Sequence, residues 1–180
     1  MKAPPEYHLF ASILDKVCWL FLVIHTSFIP LFFWQGVDQL GFFNMGSAIM
    51  YIGCLWLNRR GQFNVSFAAL AIEVVAHAGL CSVYLGKVGF SQAVQFLPMM
   101  FFLHPAKLWV KFCFYGLTVL SYILLVYNDG IHSPIKVLDS EVAQLLTMST
   151  SFLIISIGSY IAYFVFATII KRPIHEPTGG

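Results

Sequence analysis

Six apolar stretches separated by short polar turns account for almost the whole chain, and one of them carries ionisable groups at its centre. Residues 63–86 read FNVSFAALAIEVVAHAGLCSVYLG. A helix that crosses a bilayer needs roughly 20 apolar residues, and an ionisable side chain at mid-depth costs on the order of 3 kcal/mol. Glu73 and His77 are therefore tolerated there only against protein, water or a ligand. Their i, i+4 spacing puts them on one helical face, which Cys81 continues a turn further on. That face is expected to take part in function.

Around this segment the pattern predicts a short interfacial helix and six spans. Pro4 and Pro5 end any helix upstream. Leu9, Phe10, Ile13, Leu14 and Val17 recur at helical spacing with Glu6, Asp15 and Lys16 off that face, so residues 1–16 are expected to lie at the interface. Span one covers about 17–34 and holds His25 and Pro30. Span two covers about 42–57, with Asn44 near one end and Gly46 and Gly53 on a shared face that suits close helix approach. A basic turn at 58–62 leads into span three. Span four, about 90–103, is short and interrupted by Pro98. Span five covers about 108–127. A polar stretch at 128–141 precedes span six, about 142–170, which exceeds what a bilayer requires. Residues 171–180 form a tail.

With six spans, Lys2, Lys16, Arg59, Arg60, Lys107, Lys111, Lys171 and Arg172 fall on one side, and only Lys87 and Lys136 on the other. The positive-inside rule then makes both termini cytoplasmic. The expected fold is an all-α membrane protein, a bundle of six transmembrane helices over 17–170.

Composition agrees: 59% of residues are hydrophobic and 10% charged, where soluble domains carry about a quarter charged. A net charge of +2 with no basic run gives no footing for nucleic acid. No small-residue cleavage pattern follows the first apolar run, so span one is expected to stay in the protein. Cys18, Cys54, Cys81 and Cys113 sit inside apolar segments and never as CxxC, which argues against a disulfide framework or zinc ribbon. No P-loop, GxSxG, HExxH or dinucleotide fingerprint occurs, and no catalytic residue is assigned.

Depth singles out the candidate chemistry. At about 1.5 Å per residue, His25 lies roughly 12 Å from the cytoplasmic end of span one, and Glu73 about 15 Å from the same end of span three. If those spans are neighbours, His25, Glu73 and His77 converge. Two imidazoles and a carboxylate suit a transition metal, and His25 with His77 alone would suit the axial positions of a haem. The plainer reading is polar glue, with Glu73 and His77 satisfying one another. His104 and His132 are expected to be interfacial and solvated.

Residues 57–90 also resemble part of a bacterial family of six-helix membrane sensor modules that stand N-terminal to class III adenylate cyclases and GGDEF diguanylate cyclases. The shared pattern is a basic turn, then Glu73-Val74 and His77, then Leu85-Gly86 and Gly89-Phe90. Upstream, His25, Phe28, Leu31-Phe32 and Asn44 are similar to the family's first-helix histidine and second-helix asparagine. The likeness covers about 17–103. It implies a multi-pass sensor in the bacterial inner membrane, working as a homodimer, that binds a ligand at His25, Asn44, Glu73 and His77. It also implies signalling to a cytoplasmic nucleotide-cyclase output. That output is not in these 180 residues, so the chain is either a sensor module without it or a stand-alone relative with another partner. Two other classes stay open: a small transporter or proton-conducting protein using Glu73 and His77, and a structural subunit of a membrane complex.

Overall fold

A computed structural model describes residues 7–86 and 90–170, excluding the side chains of 164, 165 and 167–170. The described residues form six α-helices and one 3-10 helix. The helices are α1 (His8–Trp34), α2 (Asp38–Arg59), α3 (Phe63–Leu85), α4 (Phe96–Phe102), α5 (Leu108–Ile131) and α6 (Ser140–Ile170). The 3-10 helix, Phe90–Gln95, precedes α4. Five of them (all but α4) are long and apolar enough to cross a membrane.

α1, α2 and α3 form the packed heart of the bundle, and the segment 90–102 lies against α3 with α5 and α6 on its flanks. Thr118 is the one buried residue of α5. Leu117, Leu120, Ile123 and Leu124 of that helix are exposed, as a lipid-facing surface requires. Trp34, Trp56, Trp109 and Tyr127 are exposed at helix ends, the expected belt positions.

The first difference from the sequence reading is at the N-terminus. The expected turn between an interfacial helix and span one is absent, because α1 runs unbroken for 27 residues, about 40 Å. Phe10, Ile13, Leu14 and Val17 point into the core instead of lying on a headgroup surface. Lys16 Nζ donates to Tyr160 Oη of α6 at 2.8 Å, which places this charge at a helix–helix contact. Lys2, Lys87, Lys171, Arg172 and the tail lie outside the described residues.

The second difference concerns span four. It is a 3-10 turn joined to a seven-residue helix, about 22 Å in all, against a hydrocarbon core of about 30 Å. Pro98 does not interrupt it. As the third residue of α4, Pro98 sits in the first turn, where a missing N–H costs nothing. Despite its length, the segment runs from one end of the bundle to the other. Phe90 packs with Phe32, Leu85 and Leu138 at the C-terminal end of α3. Phe101 stacks on Phe67, and His104 reaches Asn64 at the start of α3. Chain from the α5–α6 connection covers the short end: Ile135 and Lys136 N–H groups donate to Val83 and Tyr84 carbonyls. Gly86 closes α3 at φ +64°, a backbone conformation that strains any residue with a side chain.

His104, expected to be solvated, is half-buried and held by specific contacts. Its Nε2–H donates to Asn64 Oδ1 at 2.7 Å, its ring stacks on Phe101 and meets Tyr7 and Phe10 edge-on, and Nδ1 is buried with no partner among the described residues. Burial, with Lys111 nearby, pushes its pKa below the usual 6.5. The unfolded chain therefore binds the extra proton more readily, and stability is full above about pH 6.5 and falls as pH drops below it. We expect thermal scans to show a lower melting temperature at pH 5.5 than at pH 7.5. His104→Gln, which keeps a donor for Asn64, should remove most of that difference; an unchanged pH profile would rule His104 out as its source.

Candidate functional site

α1, α2 and α3 bring five polar side chains to one point at mid-bundle. Glu73 Oε1 lies 3.1 Å from His25 Nε2 and 3.4 Å from His77 Nδ1, and the two imidazole nitrogens are 3.3 Å apart. Ser47 Oγ donates to Oε1 at 2.7 Å, and Tyr51 Oη donates to Oε2. His25, Ser47, Tyr51, Glu73 and His77 are all buried. Rise along α1 and α3 set the matching depths; the packing of α2 against both of its neighbours closes the site.

Proton positions follow from the partners. His25 Nδ1 is 2.7 Å from the Phe21 carbonyl oxygen, which can only accept, so Nδ1 carries a proton. A neutral His25 then turns the bare lone pair of Nε2 toward a carboxylate oxygen 3.1 Å away. Two acceptors at that distance repel unless a positive charge lies between them. A proton on Nε2 would supply it, and so would a metal ion.

The three ligand atoms also have the spacing of a coordination face. For bonds of about 2.0–2.1 Å, neighbouring ligands stand about 3.0 Å apart at a right angle and about 3.4 Å apart at a tetrahedral angle. The observed 3.1, 3.3 and 3.4 Å fall within that interval. The supporting contacts agree as well: a ligating histidine donates its other N–H to a carbonyl or carboxylate, as His25 does to Phe21, and a ligating carboxylate accepts hydrogen bonds, as Glu73 does from Ser47 and Tyr51. His25, Glu73 and His77 could hold a metal ion.

Of the residues expected at the site, Asn44 stands apart. It is fully buried, but its Nδ2 donates to the Leu40 carbonyl at 2.7 Å and its Oδ1 has no partner among the described residues. It makes no hydrogen bond to Glu73 and does not line the adjoining cavity. Ser47 and Tyr51 take the role on α2 instead, and sequence reasoning missed them. A signal was available: Asn44, Ser47, Tyr51, Cys54 and Asn58 recur at 3-4-3-4 spacing, a polar stripe down one face of an apolar helix.

A cavity of about 330 Å³ adjoins the cluster. His25, Tyr51, Glu73 and His77 form part of its wall; Phe21, Phe28 and Phe90 make it largely apolar, and Ser149, Thr150, Phe152 and Leu153 bring α6 to it. Cys18, Cys54 and Cys81 are buried elsewhere as small core residues, while Cys113 is exposed. No protein family, curated protein or solved structure matches this chain.

Proposed function

We propose that the chain is a membrane sensor module of six transmembrane helices, cytoplasmic at both ends, that binds a divalent transition-metal ion at His25, Glu73 and His77. The supporting observation is the 3.1 Å approach of His25 Nε2 to Glu73 Oε1, which needs a positive charge between them, at a point where three ligand atoms already stand at coordination spacing. Donors of this type suit zinc or iron(II). A bis-histidine haem fits less well. Axial nitrogens must face each other across an open plane, whereas here Glu73 Oε1 lies beside both nitrogens, where the macrocycle would have to pass.

Occupancy would be read through α6, which shares the cavity wall with the ligands, by a shift between bundle packings. The output would be a nucleotide-cyclase domain outside these 180 residues, and the working form a homodimer. For that dimer α2 offers Gly46 and Gly53, whose faces no atom of the described residues approaches within 4 Å; Gly158 is already covered by Met99.

Conduction is the less favoured reading because apolar clusters close the site at both ends. Phe32, Leu40, Leu85, Phe90 and Leu138 lie on one side and Phe10, Leu14, Phe67 and Leu70 on the other. Proteoliposomes should accordingly show no proton or cation uptake. The direct test is elemental analysis of protein purified from medium rich in zinc and iron. About one ion per chain is expected, reduced to background by His25→Ala or His77→Ala. Metal-free wild-type protein that also fails to take up zinc, iron(II) or cobalt on titration would overturn the proposal.

A further inference from the structure

We propose that the cavity beside the cluster takes a membrane-soluble weak acid, whose carboxylate completes the metal's coordination while its apolar body lies between α1 and α6. This deepens the metal reading and rests on it. A divalent ion on Glu73 and two neutral imidazoles leaves one net positive charge at mid-bilayer. Among the described residues no second acid lines the cavity to neutralise it. Buried charge without a partner is costly, so an anionic ligand is favoured over a neutral one. Three protein ligands also leave positions open on the ion.

His77 supplies a second polar anchor. With Nδ1 on the metal, its proton sits on Nε2, which makes no hydrogen bond among the described residues although the residue is only 8% exposed and forms part of the cavity wall. A carboxylate has one oxygen for the ion and one for this N–H. The rest of the space is apolar and small: about 330 Å³ is the volume of about eleven waters, which suits a ligand of roughly a dozen non-hydrogen atoms. Its rim is formed by Val23 of α1 and Phe152 of α6, 58% and 74% exposed on a surface that faces lipid. A ligand therefore reaches the site sideways from the bilayer, which requires solubility there.

Cobalt(II) provides the readout, because its visible bands report coordination number and ligand type. Full-length protein in nanodiscs is loaded with cobalt and titrated with decanoate, and separately with decanol, its neutral counterpart. Decanoate should shift the bands saturably and decanol should leave them unchanged. Ala93→Leu and Leu153→Trp, which fill the cavity at positions that are not metal ligands, should keep the cobalt spectrum and weaken the decanoate response at least tenfold. Cobalt bands that depend on His25 but ignore decanoate would overturn this inference and spare the metal site. Equal responses to decanol, or in both filled variants, would overturn the acid class or the location of its body. A protein with no cobalt bands would fail the metal reading and this one together.

Discussion

Glu73→Gln should abolish metal binding and yet leave a bundle at least as stable as the metal-free wild type. The hydrogen-bond inventory gives the reason. A glutamine oxygen still accepts from Ser47 or Tyr51, and its NH2 donates to the bare Nε2 of His25, replacing repulsion by a hydrogen bond. A buried charge disappears at the same time, whereas neutral carboxamides are poor partners for zinc or iron(II). Metal affinity should fall by more than 100-fold, a larger loss than the 10–100-fold typical when a group that only supports a ligand is removed. Tyr51→Phe should fall in that smaller range. The thermal signature separates the effects: metal at 100 times its Kd stabilises wild type by about 2.7 kcal/mol and should leave Glu73→Gln unmoved. Glu73→Ala should behave differently, since it strands the Ser47 and Tyr51 hydroxyls in a dry interior. If metal content is nil in wild type and Glu73→Gln melts well below it, the polar cluster only holds helices together.

What the chain discloses before folding follows from what periodicity can encode. Helical rise fixes depth, so the common level of His25 and Glu73 was legible from the turns that bound their segments. Their adjacency was not, because α1 meets α3 chiefly through α2, and helix neighbours are chosen by side-chain packing that no single segment specifies. Asn44 was expected at the site on resemblance alone, and Ser47 and Tyr51 were not considered. In the structure the decisive property is distance from a carboxylate on another helix. The break expected at Pro98 was misplaced for a related reason: proline disrupts a helix interior, but where the helix begins decides whether a given proline is interior. Here the 3-10 turn over Phe90–Gln95 contains neither glycine nor proline, and its shape follows from the neighbours that bury Phe90, Ser91 and Val94. The unbroken α1 is likewise a tertiary result, since core contacts for Phe10 and Ile13 outweigh the interface that an amphipathic pattern suggests.

The largest qualitative consequence of the short fourth segment is topological. If residues 90–102 cross the membrane, the connection between α5 and α6 is external and the C-terminus is cytoplasmic; if they do not, both are exchanged. Contacts favour crossing. Ser82, near the C-terminal end of α3, donates to Asp129 and accepts from Asn128, both near the end of α5. Asn64, at the start of α3, bonds His104 just ahead of α5. The two helices thus run parallel, which requires a return pass between them. Charge agrees, because crossing keeps Lys107 and Lys111 with Arg59 and Arg60 and leaves Lys136 opposite. Cysteine labelling in intact cells tests this directly, in a background where the exposed Cys113 is replaced by serine. Val137→Cys, at a position 80% exposed, should react with a membrane-impermeant maleimide from outside. Arg60→Cys and a cysteine added after Gly180 should react only once the membrane is opened. Protection of residue 137 with labelling of the C-terminal cysteine would reduce the bundle to five passes, put the tail outside, and remove the cytoplasmic end of α6 through which the proposed sensor would report.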